Sequence, residues 1–295
     1  MSVDIQTEQN SNRSIKLLSA QRQLYTEAKR LHFARLLGSI LLAVVAPFIT
    51  VFQPGWSAAL GAFGGFWLLL DQAVLKHLQS ARVKMAATIQ EEFDVSVFNL
   101  PWGLVEDRIA PELISRADHR FKGDREKLKN WYPDMGAIPY PLNVLICQRF
   151  NLVWDWQLRR GFATAILILI AAYLALLTWL SISRNLLLIE AILLFLPAAT
   201  AIAEGISMAI EHFQLASDKE KTSQKMLGMW EKGIEGISPV TIEDCRNIQD
   251  CIYGYRLTGA FVPNWWYNWL RERYEVNMYG TAEDMKTKAE RMLNS

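Results

Sequence analysis

Cysteine, histidine and charge imbalance are scarce in this sequence, and each scarcity removes a class of function. The 295 residues include three cysteines and four histidines. Cys147, Cys245 and Cys251 lack a zinc-type spacing with a nearby histidine, so free thiols are expected and no metal site. No HExxH, GxSxG, Walker or glycine-rich phosphate loop occurs, which leaves no nucleophile paired with a base; no catalytic residues are expected and the chain reads as a non-enzyme. Lys and Arg number 31 against 30 Asp and Glu. There is thus no basic excess to hold a DNA or RNA duplex and no acidic excess to keep the chain disordered. A cleaved signal peptide is not expected, because the first apolar run follows some thirty mostly polar residues and lacks a small-residue cleavage site.

What is present is apolar sequence in four long runs: about 33–52, 56–75, 161–181 and 186–208, with short turns inside each pair. Each run is long enough to cross about 30 Å of hydrocarbon at roughly 1.5 Å per residue, and core helices rarely stay apolar on every face for that length. The expected fold is an all-α membrane protein with four transmembrane helices in two hairpins, 33–75 and 161–208. A mostly helical cytoplasmic domain is expected from three segments, 1–32, 76–160 and 209–295. Lys and Arg flank the ends facing those segments (Arg13, Lys16, Arg22, Lys29, Arg30 and Arg35; Lys76, Arg82 and Lys84; Arg149, Arg159 and Arg160; Lys219, Lys221 and Lys225), whereas the opposite turns hold only Arg184. That asymmetry predicts a multi-pass protein with both termini in the cytoplasm.

Residues 15–37 keep a helical spacing through Ile15, Leu18, Arg22, Tyr25 and Lys29 and enter the first run without a breaker, so one long helix is expected there. Residues 73–93 extend the second run in the same way. Val95, Val97, Phe98 and Leu100 before Pro101 suggest an extended loop. Pro101, Pro111, Pro133, Pro139 and Pro141 then divide the central segment into short helices and loops. No internal repeat is evident.

Polar groups within the runs are the pore and gate candidates. Glu190, Pro197, Glu204 and Glu211 recur every seven residues and form one stripe on a helix. A carboxylate in lipid is costly and faces a bundle interior, a partner or water. Glu190 and Glu204 also lie close enough to the interfaces to reach headgroup water, and Asp71 near the inner end of the second run carries the same two readings. Pro197 removes a backbone donor at mid-membrane and serves as a hinge or a tolerated kink. Ser57, Gly61 and Gly65 form a small-residue ridge suited to close helix packing, within one chain or between chains. Four helices enclose no wide lumen, so conduction requires a homo-oligomer.

The runs LLSAQRQLYTEAKR (Leu17–Arg30), EEFDVSVFNLPW (Glu91–Trp102), NWYPD (Asn130–Asp134) and CQRFNLVWDWQLRR (Cys147–Arg160) resemble the SMODS-associating four-transmembrane effector family. These are pore-forming proteins of bacterial cyclic-oligonucleotide-based antiphage signalling, and the likeness extends over about residues 15–270. It implies location in the bacterial inner membrane, no resident cofactor, and activation by a cyclic oligonucleotide from a nucleotidyltransferase, followed by membrane permeabilisation and abortive infection. No ligand residues come with the resemblance. An anionic, base-bearing ligand calls for Arg or Lys beside aromatic faces. Trp131, Tyr132, Arg149, Trp154 and Arg159 supply that mixture, and Trp265, Trp266, Trp269, Arg271 and Arg273 supply another. The first set equally fits an aromatic belt with cationic anchors at the start of the third run. The second equally fits a helix lying on the membrane or against the cytoplasmic domain. A non-conducting membrane anchor that recruits a cytoplasmic partner is the alternative function.

Overall fold

The computed structural model describes residues 4–52, 54–103, 107–183, 185 and 187–293, except for the side chains at 43–52, 54, 57, 154, 180, 190–201, 204, 271–279, 281, 282 and 293. Among the described residues the chain is helical and contains no strand. In order the helices are α1 (Ile5–Gln9), α2 (Asn12–Phe52), α3 (Ser57–Leu70), α4 (Lys76–Phe98), α5 (Pro111–Arg120), α6 (Leu142–Ser183), α7 (Leu188–Ile234), α8 (Ile242–Thr258) and α9 (Asn264–Leu293). A π-helical turn, Asp71–Leu75, joins α3 to α4 without a break.

Among the described residues the apolar runs fall on helical backbone, apart from Leu187 at the start of the fourth. Ala58–Phe98 and Leu142–Ser183 are long and apolar enough to cross a membrane. The first and fourth runs lie in α2 and α7, where many side chains fall outside the described residues. The helices outrun the apolar stretches. The 42 residues of α6 span about 63 Å at 1.5 Å per residue, roughly twice the hydrocarbon thickness.

The chain divides into two compact units: one of Ala28–Ala81 and Arg159–Gln214, the other of Met1–Glu27, Arg82–Leu158 and Leu215–Ser295. In the first, α2 and α3 meet where Gly38 faces the Trp67 ring; a Cβ at Gly38 would lie 2.2 Å from that ring, so only glycine permits the contact. Gly205 of α7 likewise receives Ile170 of α6, whose Cδ1 lies 2.9 Å from where a Cβ would stand. The second unit has a core led by Trp230, Tyr132, Phe93, Phe98, Leu18 and Leu24, drawn from all three of its segments. Pro111 opens α5 in the N-terminal position where its missing N–H is harmless, and Thr241 caps α8 in a reciprocal box with Asp244.

The extended loop expected after Phe93 is corrected: α4 continues to Phe98. Phe93, Val97 and Phe98 are wholly buried, and that burial outweighs the weak helix propensity of the valines. Pro101 restricts only the residue before it. The helix stops at Asn99, whose φ of 50° is left-handed, with the Leu100 N–H donating to Val95 O at 3.1 Å in a Schellman-type closure.

Cys147 and Cys245 are buried and Cys251 is exposed. Burial pushes the Cys245 thiol up to about 12 and holds Cys147 above the ordinary thiol range as well. Maleimide at pH 8 is therefore expected to label the native chain at Cys251 alone, and all three thiols after denaturation, as read by mass spectrometry.

Candidate functional site: a cleft backed by a buried ionic core

Two carboxylates of α4 lie fully buried in the second unit. Glu91 and Asp94, three residues apart and so on one helical face, both have no exposed surface. Helix α8 brings Arg246, Gln249 and Arg256 against them. Arg246 Nη2 reaches Glu91 Oε1 at 2.6 Å and Asp250 at 2.8 Å. Arg256 Nη2 reaches Asp94 Oδ2 at 2.6 Å, and its Nη1 lies 3.7 Å from Glu91 Oε2. Gln249 Nε2 donates to both carboxylates, at 2.8 and 2.9 Å. Two guanidiniums thus face the two buried carboxylates and Asp250 beside them, and an amide bridges the buried pair. Burial nevertheless raises the Glu91 carboxyl above its ordinary value, against the pull of Arg256.

Tyr132 links this core to the surface. Its hydroxyl donates to Asp94 Oδ1 at 2.6 Å and accepts from Asn151 Nδ2 at 2.8 Å. Burial, and then the adjacent Asp94 charge, push its phenol well above the ordinary range. Its ring lies against Phe93 and Phe98, with centroids at 6.1 and 4.9 Å. Its backbone is gripped from α1: Gln9 Oε1 accepts from Tyr132 N at 2.7 Å, and Gln9 and Gln6 donate to Tyr132 O at 3.1 and 3.3 Å.

A cleft of about 670 Å³ opens on that backbone. Among the described residues it is lined by Gln6, by Asn130 and residues 132–135, and by Gly280, Glu283 and Lys286 of α9. Its volume falls within the roughly 300–1,000 Å³ of small-molecule sites. The wall is shaped by Gly136, which has a φ of 54° and whose Cβ would lie 2.8 Å from Lys286 Cε. Glycine is needed there both for the turn and for the passage of the lysine. The cleft offers two amides, two carboxylates and one ammonium. Among the described residues, no group of three or more His, Cys, Asp or Glu is placed to hold a metal.

The structure distributes the sequence candidates unevenly. Tyr132 is a core residue whose ring is covered by protein, so it offers a ligand no stacking face. Trp131 is half-buried with the Arg22 guanidinium 6.0 Å from its ring centroid. Arg149 turns to α9, its Nη1 3.6 Å from Met285 Sδ, and burial lowers its pKa from the ordinary value. Trp154 lies outside the described side chains. Arg159 belongs to the other unit, beside His212 at 3.3 Å. The five are therefore not one site.

In the C-terminal cluster Trp266 is buried, its Nε1 donating to Leu158 O at 3.3 Å, while Trp265 and Trp269 are exposed; the side chains of Arg271 and Arg273 lie outside the described residues.

Of the pore and gate candidates, Glu190, Pro197 and Glu204 sit on helical backbone of α7 with side chains outside the description. Asp71 is held by Arg35 of α2, with Nε on Oδ1 at 2.5 Å and Nη2 on Oδ2 at 3.0 Å; Arg35 Nη1 also reaches Gln79 at 2.6 Å. The structure thus shows a two-pronged tie between α2 and the π-helical turn. Of the small-residue ridge, the side chain of Ser57 is outside the description. A Cβ at Gly61 or Gly65 would meet nothing within 4 Å, so among the described residues this chain places no helix there.

Sequence reasoning missed Glu91, Asp94, Arg246, Gln249, Arg256 and Lys286. One signal was available: two acidic residues three apart among Ile89, Phe93, Val95 and Val97 imply buried charge, and buried charge requires a partner.

A family model described as the SMODS-associating 4TM effector domain matches residues 3–285. A protein of Bacillus cereus (strain VD146), named as a probable CBASS effector molecule, is 31% identical over 275 residues, covering 90% of this chain and 92% of its own length. No solved structure is significantly similar to the chain.

Removing one side of a buried ion pair costs about 3–5 kcal/mol, because the other side is left uncompensated. Arg256→Met is expected to destabilise the second unit by about that much. Without the guanidinium that pulls it down, Glu91 rises further. Its contribution is then full below the ordinary carboxyl value of 4.5 and lost as pH rises through its native value. The deficit should therefore be smallest in acid and widen toward neutrality, as read from thermal midpoints of wild type and variant over that range.

Proposed function

The chain belongs to the SMODS-associating 4TM effector family, and from that premise we propose that it is a non-enzymatic effector of the bacterial inner membrane which binds a cyclic oligonucleotide on the cytoplasmic side, assembles with further copies, and permeabilises the bilayer. The observation that carries this reading is covalent. The helices bearing the apolar runs also supply the cleft-bearing unit, which takes residues from α2, α4, α6 and α7. A ligand held by that unit therefore acts on chain continuous with the membrane segments.

The lining of the cleft favours a ligand with amine donors as well as phosphates. Lys286 takes a phosphate oxygen, Gln6 and Asn130 read base edges, and Asp134 and Glu283 accept from exocyclic amines. A bare polyphosphate would meet two carboxylates against one ammonium, an unfavourable balance. Tyr132 transmits occupancy, since its backbone borders the cleft and its hydroxyl rests on Asp94. The ligand has to favour the open assembly by about 1.4 kcal/mol for each tenfold shift in population. The open ridge at Gly61 and Gly65 is the surface on which another copy's helix packs, and Glu190 and Glu204 line the path that the copies enclose. Asp71 serves as a gate tie through Arg35.

In dye-loaded liposomes, purified full-length protein is expected to release dye with one member of a panel of cyclic di- and trinucleotides and with no linear nucleotide. Lys286→Ala should insert normally and lose that response. Glu190→Gln with Glu204→Gln should keep ligand binding and lose preference for cations. Absence of leakage with every cyclic nucleotide, from correctly inserted protein, would defeat the reading.

A further inference from the structure

Helix α6 carries its own depth scale. Its apolar run starts at Gly161, three residues after Leu158, and Trp179 stands 21 residues beyond Leu158 on the same continuous helix. At 1.5 Å per residue that separation is about 32 Å, close to the hydrocarbon thickness of a bilayer. Ile168 and Leu169, midway, are 63% and 69% exposed, as lipid-facing residues are in the absence of lipid. Trp179, at the far end, is also exposed, where an interfacial indole belongs. Leu158 consequently marks the cytoplasmic headgroup boundary.

The start of α9 is tied to that mark. Trp266 is buried and its Nε1 donates to Leu158 O at 3.3 Å. Trp265 and Trp269, four residues apart and so on one face, point the other way and are 65% and 71% exposed. Each contacts Trp266 edge to face, with centroids at 5.7 and 5.4 Å, so their position follows that of the anchored ring. Two large indoles left in water at headgroup depth, flanked by the exposed amides of Asn264 and Asn268, form a surface with an apolar body and polar edges. That chemistry suits the lipid headgroup layer.

We propose that the first turns of α9 are a membrane-interface anchor, in which Trp265 and Trp269 seat in the headgroup layer of the leaflet that Gly161 enters and hold the C-terminal segment against the bilayer. This rests on the bilayer reading above. The partner is lipid, because the tie to Leu158 fixes the depth of the two rings, and a second copy of the chain would have no such depth to match.

The test uses the full-length chain in proteoliposomes with an environment-sensitive fluorophore on single cysteines. Trp265→Cys, Trp269→Cys and Leu169→Cys are made in a Cys251→Ser background, and the native Cys251 serves as the aqueous reference. All four positions are exposed, and Trp266 is left intact, so the fold is preserved. Expected is loss of most emission at 265 and 269 to headgroup-level nitroxide lipid with little loss to aqueous iodide. Leu169 should respond to acyl-chain nitroxide and Cys251 to iodide. Iodide quenching at 265 and 269 equal to that at Cys251 would overturn the proposal while leaving the bilayer reading intact. So would protection from both iodide and lipid, which would mean that protein covers the rings. Iodide access at Leu169 would overturn both.

Discussion

The second unit depends on the neutralisation of Glu91 and Asp94. A buried, uncompensated carboxylate costs several kcal/mol, comparable to a large part of the net stability of an ordinary domain. Neither α4 nor any residue near it in sequence meets that cost. The guanidiniums come from α8, some 150 residues later, the phenol from the loop before α6, and the amide that fixes the phenol from α6 itself. Apolar packing alone would let α4 slide against α8 at small cost. Hydrogen bonds with fixed directions do not, and they explain why a unit assembled from three separated segments has one register. Gly103 shows how tightly the cover fits: a Cβ there would fall 2.5 Å from Asp250 and 2.6 Å from Arg246, so the loop after α4 passes directly over the ion pair.

A second constraint is length. A bilayer uses about twenty residues of a helix, whereas α2, α6 and α7 have 41, 42 and 47. The surplus turns are amphipathic or polar, and they furnish much of the framework on which the cleft and its ionic core are built. The chain thus makes its second unit partly from continuations of the helices that carry its apolar runs, which is why no separate, contiguous domain appears in the sequence.

This also explains what could be read beforehand. The four apolar runs were legible because charge is sparse within them, and Arg35, Lys76 and Arg159 lie at or near their ends. Helix boundaries were less so: nothing in the run from Leu142 to Arg160 signals that it belongs to the same helix as Gly161–Ser181, since the pattern changes from mixed to wholly apolar while the backbone does not. The valines at 95 and 97 suggested extension, yet their burial decided for helix. The ionic core was hidden because Glu and Asp are read as surface residues unless their neighbours on the helical face are weighed. The Trp131–Tyr132 pair was read as a stacking surface because composition does not reveal that Phe93 and Phe98 already occupy the Tyr132 ring. The stretches that carry the family likeness contain Glu91, Asp94, Tyr132, Gln148 and Asn151, all of them members of the polar core.

The strengths of these contacts indicate where a ligand could act. Breaking the Arg256–Asp94 pair costs about 3–5 kcal/mol, more than the 1.4 kcal/mol needed for each tenfold population shift. A nucleotide in the cleft would therefore move the ionic core as one body, through Tyr132, and leave its bonds intact. Weaker links then have to yield. Glu27, the last residue that α2 gives to the second unit, pairs with Arg82 and Arg120 at 3.0 Å. Arg82 is the first residue that α4 gives to it. These guanidiniums are substantially exposed, and such pairs are worth about 0–1 kcal/mol. The chain thus keeps its strongest polar contacts at the centre of the second unit and weaker ones where α2 and α4 leave it. On the proposed reading, motion originating in the cleft would be released first at the Glu27–Arg82 and Glu27–Arg120 pairs.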